Sequence, residues 1–315
     1  MIIYRSLEEV VYNKNSVLSI GMFDGIHKAH QAILKLLIDR ARQNKGRSVV
    51  VTFDPHPKEI VGNGNSKLEI LSTLKEKLAF FEKFGIDVVF IIPFTYEFSR
   101  LSLNEFYSKY IINGIGVSEV IEGFNHQLGR DREGGMNQIV DLGKQNNFSV
   151  ETLSMMKQSE NNISSSEIRK MLHEGKVELA NRMLGTEYTF SGEVVRGHGR
   201  GKKLGYPTAN IKIDNSHKLV PKIGVYAVKI HVEGVWYGGM MSIGYNPTFH
   251  EHHDRTTEVN IFSFDKDIYG EIVTVECIER TRDEKKFNSV DELVVEMKND
   301  EVTTKKILEH YIPLS

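Results

Sequence analysis

Two histidines three residues apart, His27 and His30, are the first side chains whose type and spacing suit chemistry. They follow an apolar run, Val17-Leu18-Ser19-Ile20, a break at Gly21 and an Asp24-Gly25 turn. Downstream, Ile26, Ala29, Ile33, Leu36 and Leu37 keep a helical period. The segment therefore reads strand, turn, helix. Such a turn lies at the carboxyl end of its strand, where open α/β sheets bind ligands. The free N–H groups and positive pole of the following helix suit a phosphate, and both imidazoles can donate to its oxygens. The same pair also fits an ordinary surface, or a zinc site completed by His56 or His126; spacing alone selects none of these.

A second cluster is Ile163-Ser164-Ser165-Ser166-Glu167-Ile168-Arg169. Ser164 and Glu167 have capping-box spacing, and the helix they open ends at Gly175. Serine hydroxyls, free N–H groups and the Arg169 guanidinium together favour a polyphosphate; a plain capped surface helix is the other reading. The third cluster runs from Gly197 to Asn210 (GHGRGKKLGYPTAN). It is not a Walker A loop, because Lys203 stands where that motif needs Ser or Thr. Its basic residues fit a nucleotide or an RNA backbone. Thr208 and Asn210, two apart at the start of a strand, share one face and can hold Mg²⁺ with ATP phosphates through oxygen.

Strands and helices alternate through the first half. Ser48–Phe53 is a continuous β-branched run suited to a buried parallel strand, stopped by Asp54-Pro55-His56-Pro57. Thr73/Glu76 and Ser102/Glu105 mark helix starts, the first ending at Gly85 and the second running through Ile112; Asp87–Ile92 and Val120-Ile121 are further strands. That alternation predicts a parallel sheet with flanking helices. Beyond Gly185 the pattern becomes short strands and glycine turns: Tyr188–Val194, Ala209–Ile213, Gly224–Val232, Val235–Ile243, Glu258–Phe264 and Ile272–Ile278, with a hairpin at Gly234. These predict a small antiparallel β-barrel, followed by C-terminal helical structure opened by Ser289 and Glu292. The expected domains are 1–184 and 185–315.

Composition narrows the classes. A chain of 315 residues, 40% hydrophobic and 26% charged, has room for two cores. A net charge of −2 argues against bulk nucleic-acid binding. One cysteine, Cys277, excludes an intrachain disulfide and a multi-cysteine zinc site. The opening MIIYRSLEEV is unlike a signal peptide and no run has membrane-spanning length, so a cytoplasmic protein is expected.

The motifs carry a resemblance. GMFDGIHKAH is similar to the phosphate-binding H-x-G-H element of the nucleotidyltransferase superfamily, in the variant seen in bacterial FAD synthetases, with Ala29 at the usual glycine. Thr52-Phe53-Asp54-Pro55-His56-Pro57, ISSSEIR and, more loosely, Gly123–Gly129 resemble further elements in the same order; there His126 and Leu128 replace phenylalanines. GRGKKLGYPTAN closely resembles the riboflavin kinase motif. Gly224–Val228, Ile243–Phe249 with Asn246 at a frequent arginine, Glu258–Ile261, Tyr269-Gly270 and Arg282–Phe287 follow in family order. The sequence is thus identified as a member of the bifunctional riboflavin kinase/FMN adenylyltransferase family, over nearly its whole length.

That resemblance implies a Rossmann-like nucleotidyltransferase domain and a flavokinase-type barrel. It implies ATP bound in the first by Gly21, Phe23, Asp24, Gly25, His27, His30, Asn125, Ser164, Ser165 and Arg169. In the second, ATP would meet Gly197, Gly199, Gly201, Lys202, Thr208 and Asn210, the last two also holding Mg²⁺. Flavin contacts fall on His56, Pro57, Arg282, Glu284 and Phe287; Glu258 is the implied base. The partners are riboflavin, FMN and ATP, with no nucleic acid or membrane. Two alternatives stand beside this: a kinase whose first site is weakened, and a non-catalytic flavin- or RNA-binding regulator.

Overall fold

The computed structural model describes residues 1–62, 67–123, 135–153, 163–197, 199, 201, 204–245 and 255–311. They form two compact units, 1–163 and 164–315, each described by itself.

The first unit is a six-stranded parallel sheet. Its strands are β1 (Ile2–Tyr4), β2 (Ser16–Ile20), β3 (Arg47–Asp54), β4 (Val88–Pro93), β5 (Glu119–Gly123) and β6 (Ser149–Leu153), in spatial order β1-β4-β3-β2-β5-β6. The chain steps outward from β2 through β3 to β4, then returns to the other side of β2 as β5. The order therefore reverses between β2 and β5, the switch point at which such sheets leave a crevice. Period-two alternation feeds two cores. Leu18, Ile20, Val49, Val51, Phe53, Phe90 and Val120 face one side; Val17, Val50, Val89, Ile91 and Ile121 face the other. Helices α1 (Lys28–Gln43), α2 (Pro57–Val61) and α3 (Leu74–Phe84) intervene; α1 and α3 cover the second face with Leu34, Leu37 and Phe81. The first face is covered by α5 (Leu103–Phe106), which follows the short α4 (Tyr96–Ser99), and by α6 (Gly135–Asn146). The single helix expected from Ser102 to Ile112 is instead α5 continued by a π-helix, Tyr107–Ile115. Its buried residues Tyr107, Ile111 and Ile115 recur every four positions and line one face.

The second unit opens with α7 (Ser165–Glu174) and α8 (Val177–Leu184) and closes as a barrel. Strands β7 (Tyr188–Val195), β8 (Ala209–Ile213), β9 (Gly224–Val232), β10 (Val235–Tyr245), β11 (Arg255–Ile261) and β12 (Ile272–Arg282) run in the order β10-β11-β8-β7-β12-β9. All pairings are antiparallel, and closure leaves no open sheet edge. Glu233 and Gly234, at φ 48° and 84°, turn β9 into β10 as the hairpin reading expects. Strand β11 starts and ends three residues before the expected Glu258–Phe264; Ser263 at φ 54° breaks the extended chain. Strand β12 runs on to Arg282 through two register shifts, which re-aim its last side chains. Helix α8 packs on β7 and β12, and Asn181 ties it down by donating to Cys277 O and accepting from Tyr188 N–H, both at 2.8 Å. Helix α9 (Val290–Leu308) is capped by Ser289 and docks through a charged seam. Arg282 Nε and Nη2 fork onto the buried Asp300 carboxylate at 2.8 and 2.6 Å, with Glu296 at 3.4 Å.

Candidate active sites

The first site is built on the loop between β2 and α1, and almost every residue in it is pinned. Gly21 N–H donates to Val51 O at 2.9 Å. Phe23 and Ile26 take left-handed φ of 50° and 38°, uncommon for bulky residues, on either side of Gly25 at 85°. Asp24, nearly buried, accepts the N–H groups of Leu71 and Ser72 on Oδ1 at 2.8 and 2.9 Å. Its carboxylate thus holds the segment leading into α3. Lys77, 5% exposed, reaches from α3 to donate to Met22 O at 3.1 Å. Burial lowers the Lys77 ammonium, while the Asp24 and Asp54 carboxylates hold its proton.

His27 caps α1. Its Nδ1 accepts the His30 backbone N–H at 3.4 Å, and the two rings stack with centroids 3.7 Å apart. With Nδ1 accepting, the ring proton sits on Nε2. Burial pushes the His27 imidazole down to about 4, against the opposing pull of Asp24. It is therefore a neutral donor at ordinary pH. His30 also packs on Phe23, with centroids at 5.2 Å. Ala29 is exposed on the first turn of α1.

His56 and Pro57 lie at the carboxyl end of β3, beside β2. His56 Nδ1 accepts from Lys58 N–H at 3.1 Å while Glu59 accepts from His56 N–H, so the ring is part of a capping box for α2, with Pro57 as its first residue. No three His, Cys, Asp or Glu side chains gather as a metal cluster among the described residues, so the zinc reading finds no site there. Asn125, His126 and Leu128 lie outside the described residues. Ser164 Oγ accepts from Glu167 N–H at 3.2 Å and caps α7, with Ser165 and Arg169 on its first turns. These three belong to the second compact unit.

In the second unit the polar residues converge across two antiparallel strands. Glu258 on β11 pairs in register with Asn210 on β8. Thr208 Oγ1 donates to Glu258 Oε2 at 3.0 Å. Hydroxyl, carboxamide and carboxylate thus share one face. Gly197 lies so close to the Asn210 carboxamide that a Cβ would sit 2.2 Å from Nδ2, so any other residue there would push that carboxamide aside. Gly199 is left-handed at φ 65°, and Gly201 O accepts from Leu204 and Tyr206 N–H at 3.0 and 2.9 Å, folding the loop back on itself. Lys202 and the Asn246–Phe249 part of the expected motif lie outside the described residues. Arg282 spends its fork on Asp300 and its Nη1 on Asp283 O. The exposed Glu284 reaches back over β10, where a Cβ on Gly244 would meet Oε1 at 2.8 Å; Phe287 is half-buried.

A family model described as FAD synthetase matches residues 10–167, and one described as riboflavin kinase matches 184–308. A bifunctional riboflavin kinase/FMN adenylyltransferase of Listeria monocytogenes is 38% identical over 293 residues, 92% of each chain. The chain belongs to this family. The Bacillus subtilis member is 37% identical over 289 residues, 90% of each chain. A solved structure named a macrolide-efflux protein, from Streptococcus pneumoniae, is similar at TM-score 0.87 and 32% identity, covering 96% of this chain and 98% of its own. Among the described residues, no helix here is long and apolar enough to cross a membrane.

Two residues of this family member escaped the sequence reading. Lys77 left a legible signal: it lies three after Leu74 and four before Phe81, inside the apolar stripe of α3, where a lysine is out of place. Asn260 left only its spacing from Glu258, two residues along one strand face.

Proposed function

We propose that the chain makes flavin cofactors in two steps: ATP-dependent phosphorylation of riboflavin to FMN, and adenylylation of FMN to FAD with release of pyrophosphate. It is a transferase in both. The observation that carries the kinase reading is the Thr208–Glu258 hydrogen bond, with Asn210 across the register. Glu258 takes the proton of the riboflavin 5′-hydroxyl as that oxygen bonds to the γ-phosphorus and the bond to ADP breaks. Gly197, Gly199, Gly201 and Lys202 wrap the ATP phosphates, and Arg282, Glu284 and Phe287 border the flavin. The oxygens of Thr208 and Asn210 fit Mg²⁺, a hard cation, which when bound with ATP supplies charge neutralisation at the phosphates.

In the adenylyltransferase, an FMN phosphate oxygen attacks the α-phosphorus of ATP and pyrophosphate leaves. His27 donates through Nε2–H, because its Nδ1 is committed to the α1 cap; His30 acts beside it. Gly21, Phe23, Asp24, Gly25 and Asn125 line the ATP site, Ser164, Ser165 and Arg169 hold the leaving pyrophosphate, and His56 and Pro57 border the flavin. No covalent intermediate is needed; positioning and oriented donors do the work. Functionally the chain divides at 184/185, with adenylylation in 1–184 and phosphorylation in 185–315.

The test is a pair of end-point assays on purified full chain with ATP and Mg²⁺, one starting from riboflavin and one from FMN. FAD is expected from both. With Glu258→Gln, FMN formation from riboflavin should stop while FAD still forms from supplied FMN. Undiminished phosphorylation by that variant removes Glu258 as the base, and a wild-type chain that turns over neither flavin removes the reading.

A further inference from the structure

Beside the triad of Thr208, Asn210 and Glu258 stands a fourth polar residue that none of the motif roles uses. Asn260 lies on β11 two residues after Glu258, so both project from the same face of the strand. It is only 8% exposed. Its Nδ2 donates to the Pro207 carbonyl at 2.7 Å, a short bond for an amide donor. In the antiparallel register Glu258 faces Asn210 and Val259 faces Ala209, and β8 begins at Ala209. One further step along that register brings Asn260 to Thr208, which lies just before the strand.

Thr208 is thus the one member of the triad outside a strand. The Pro207 carbonyl belongs to the peptide that joins it to Thr208, and Asn260 holds that carbonyl. The orientation of that peptide plane sets where the Thr208 side chain leaves the backbone. At 3.0 Å the Thr208 hydroxyl meets Glu258, and a peptide rotated by a few tens of degrees would break that contact.

We propose that Asn260 is a positioning residue of the phosphoryl-transfer site: its carboxamide clamps the Pro207 carbonyl and so aims the Thr208 hydroxyl at Glu258. The inference rests on the kinase reading above and adds a residue to it. Asn260 touches neither substrate nor reacting atoms in this role.

The experiment compares wild type with Asn260→Ala, Asn260→Asp and Asn260→His in the full chain, measuring steady-state riboflavin phosphorylation, FMN adenylylation and thermal unfolding. Asn260→Asp keeps the shape but sets a carboxylate oxygen against the Pro207 carbonyl. Asn260→His restores a donor, since imidazole Nδ1–H lies as many bonds from Cα as the amide Nδ2–H. The Ala and Asp variants should lose about tenfold or more in kcat, in the range of a lost oriented contact, with riboflavin KM little changed. Adenylylation should be unchanged, and Asn260→His should recover most of kcat. A purely structural asparagine would instead lower the melting temperature and leave kcat of the folded fraction intact, which overturns the proposal. Should the Ala and Asp variants fail to fold, the His variant decides: near-wild-type kcat supports the clamp, and a tenfold loss in a folded His variant rejects it. A wild-type chain that forms no FMN removes the kinase reading and this inference with it. Active wild type beside unchanged variants removes the inference alone.

Discussion

His27 does work that only a neutral ring can do. Its Nδ1 accepts the N–H that opens α1, and an imidazolium has no lone pair to offer. Burial agrees, holding the group near 4 against about 6.5 in an unfolded chain. The sign follows directly. Between those two values the unfolded chain binds the proton first, so acid favours unfolding; above the unfolded value neither state is protonated and the full stability is present. The stability lost from this group as pH falls from 6.5 to 4 is about 3 kcal/mol, at roughly 1.4 kcal/mol per pKa unit. Asn at position 27 keeps a good helix cap and does not titrate in this range. The prediction is that unfolding free energy, followed by denaturant titration across pH 7 to 4, declines more steeply for wild type than for His27→Asn. Parallel curves would mean the buried ring is not what acid attacks.

At the scale of elements, α3 acts as a buttress for the loop between β2 and α1. Two N–H groups ahead of it are held by Asp24, and Lys77 on it holds Met22 O. The loop they brace contains Phe23 and Ile26 in left-handed conformations, each costing about 1–2 kcal/mol for a residue with a side chain. Methionine of similar length fills the same space, but it removes the cation that faces the buried Asp24 carboxylate and the donor to Met22 O, which costs stability. If Lys77 also holds the loop, Lys77→Met should melt lower and the folded variant should in addition lose adenylylation by about tenfold or more, as expected when a loop at the proposed site shifts. Kinase activity should stay. A variant that melts lower while keeping its adenylylation rate would make Lys77 a structural residue.

For the whole molecule, the proposed chemistry is two reactions joined by a product that is also a substrate. The residues proposed for phosphorylation, Thr208, Asn210 and Glu258, lie within the second unit, and His27 and His30, proposed for adenylylation, lie within the first. A variant crippled in one step should therefore keep the other. Glu258→Gln mixed with His30→Ala should convert riboflavin to FAD, with a lag set by free FMN, far faster than either variant does alone. Loss of an oriented donor such as His30 is expected to cost about a hundredfold or more in adenylylation. A mixture that yields no FAD, although Glu258→Gln adenylylates supplied FMN, would show that the FMN formed by His30→Ala is not released.

Much of this was legible in the chain. The continuous apolar runs at Ser48–Phe53 and Asp87–Ile92, the Thr73/Glu76 and Ser102/Glu105 boxes and the glycine-punctuated second half prescribe a parallel sheet and a barrel, because periodicity and capping are local properties. Motif order placed His27, Thr208 and Glu258 as candidates. The pairings were not local. That Glu258 faces Asn210, that Asn260 holds Pro207 and that Arg282 is taken by Asp300 depend on strand register and on helix docking between residues distant in sequence. Likewise Lys77 shows only as a misplaced charge on a helical stripe until the sheet brings the β2 loop over it. Sequence by itself marked which residues are candidates for the chemistry; tertiary structure alone decided which of them meet, since those contacts form only once the sheet register and helix packing are set.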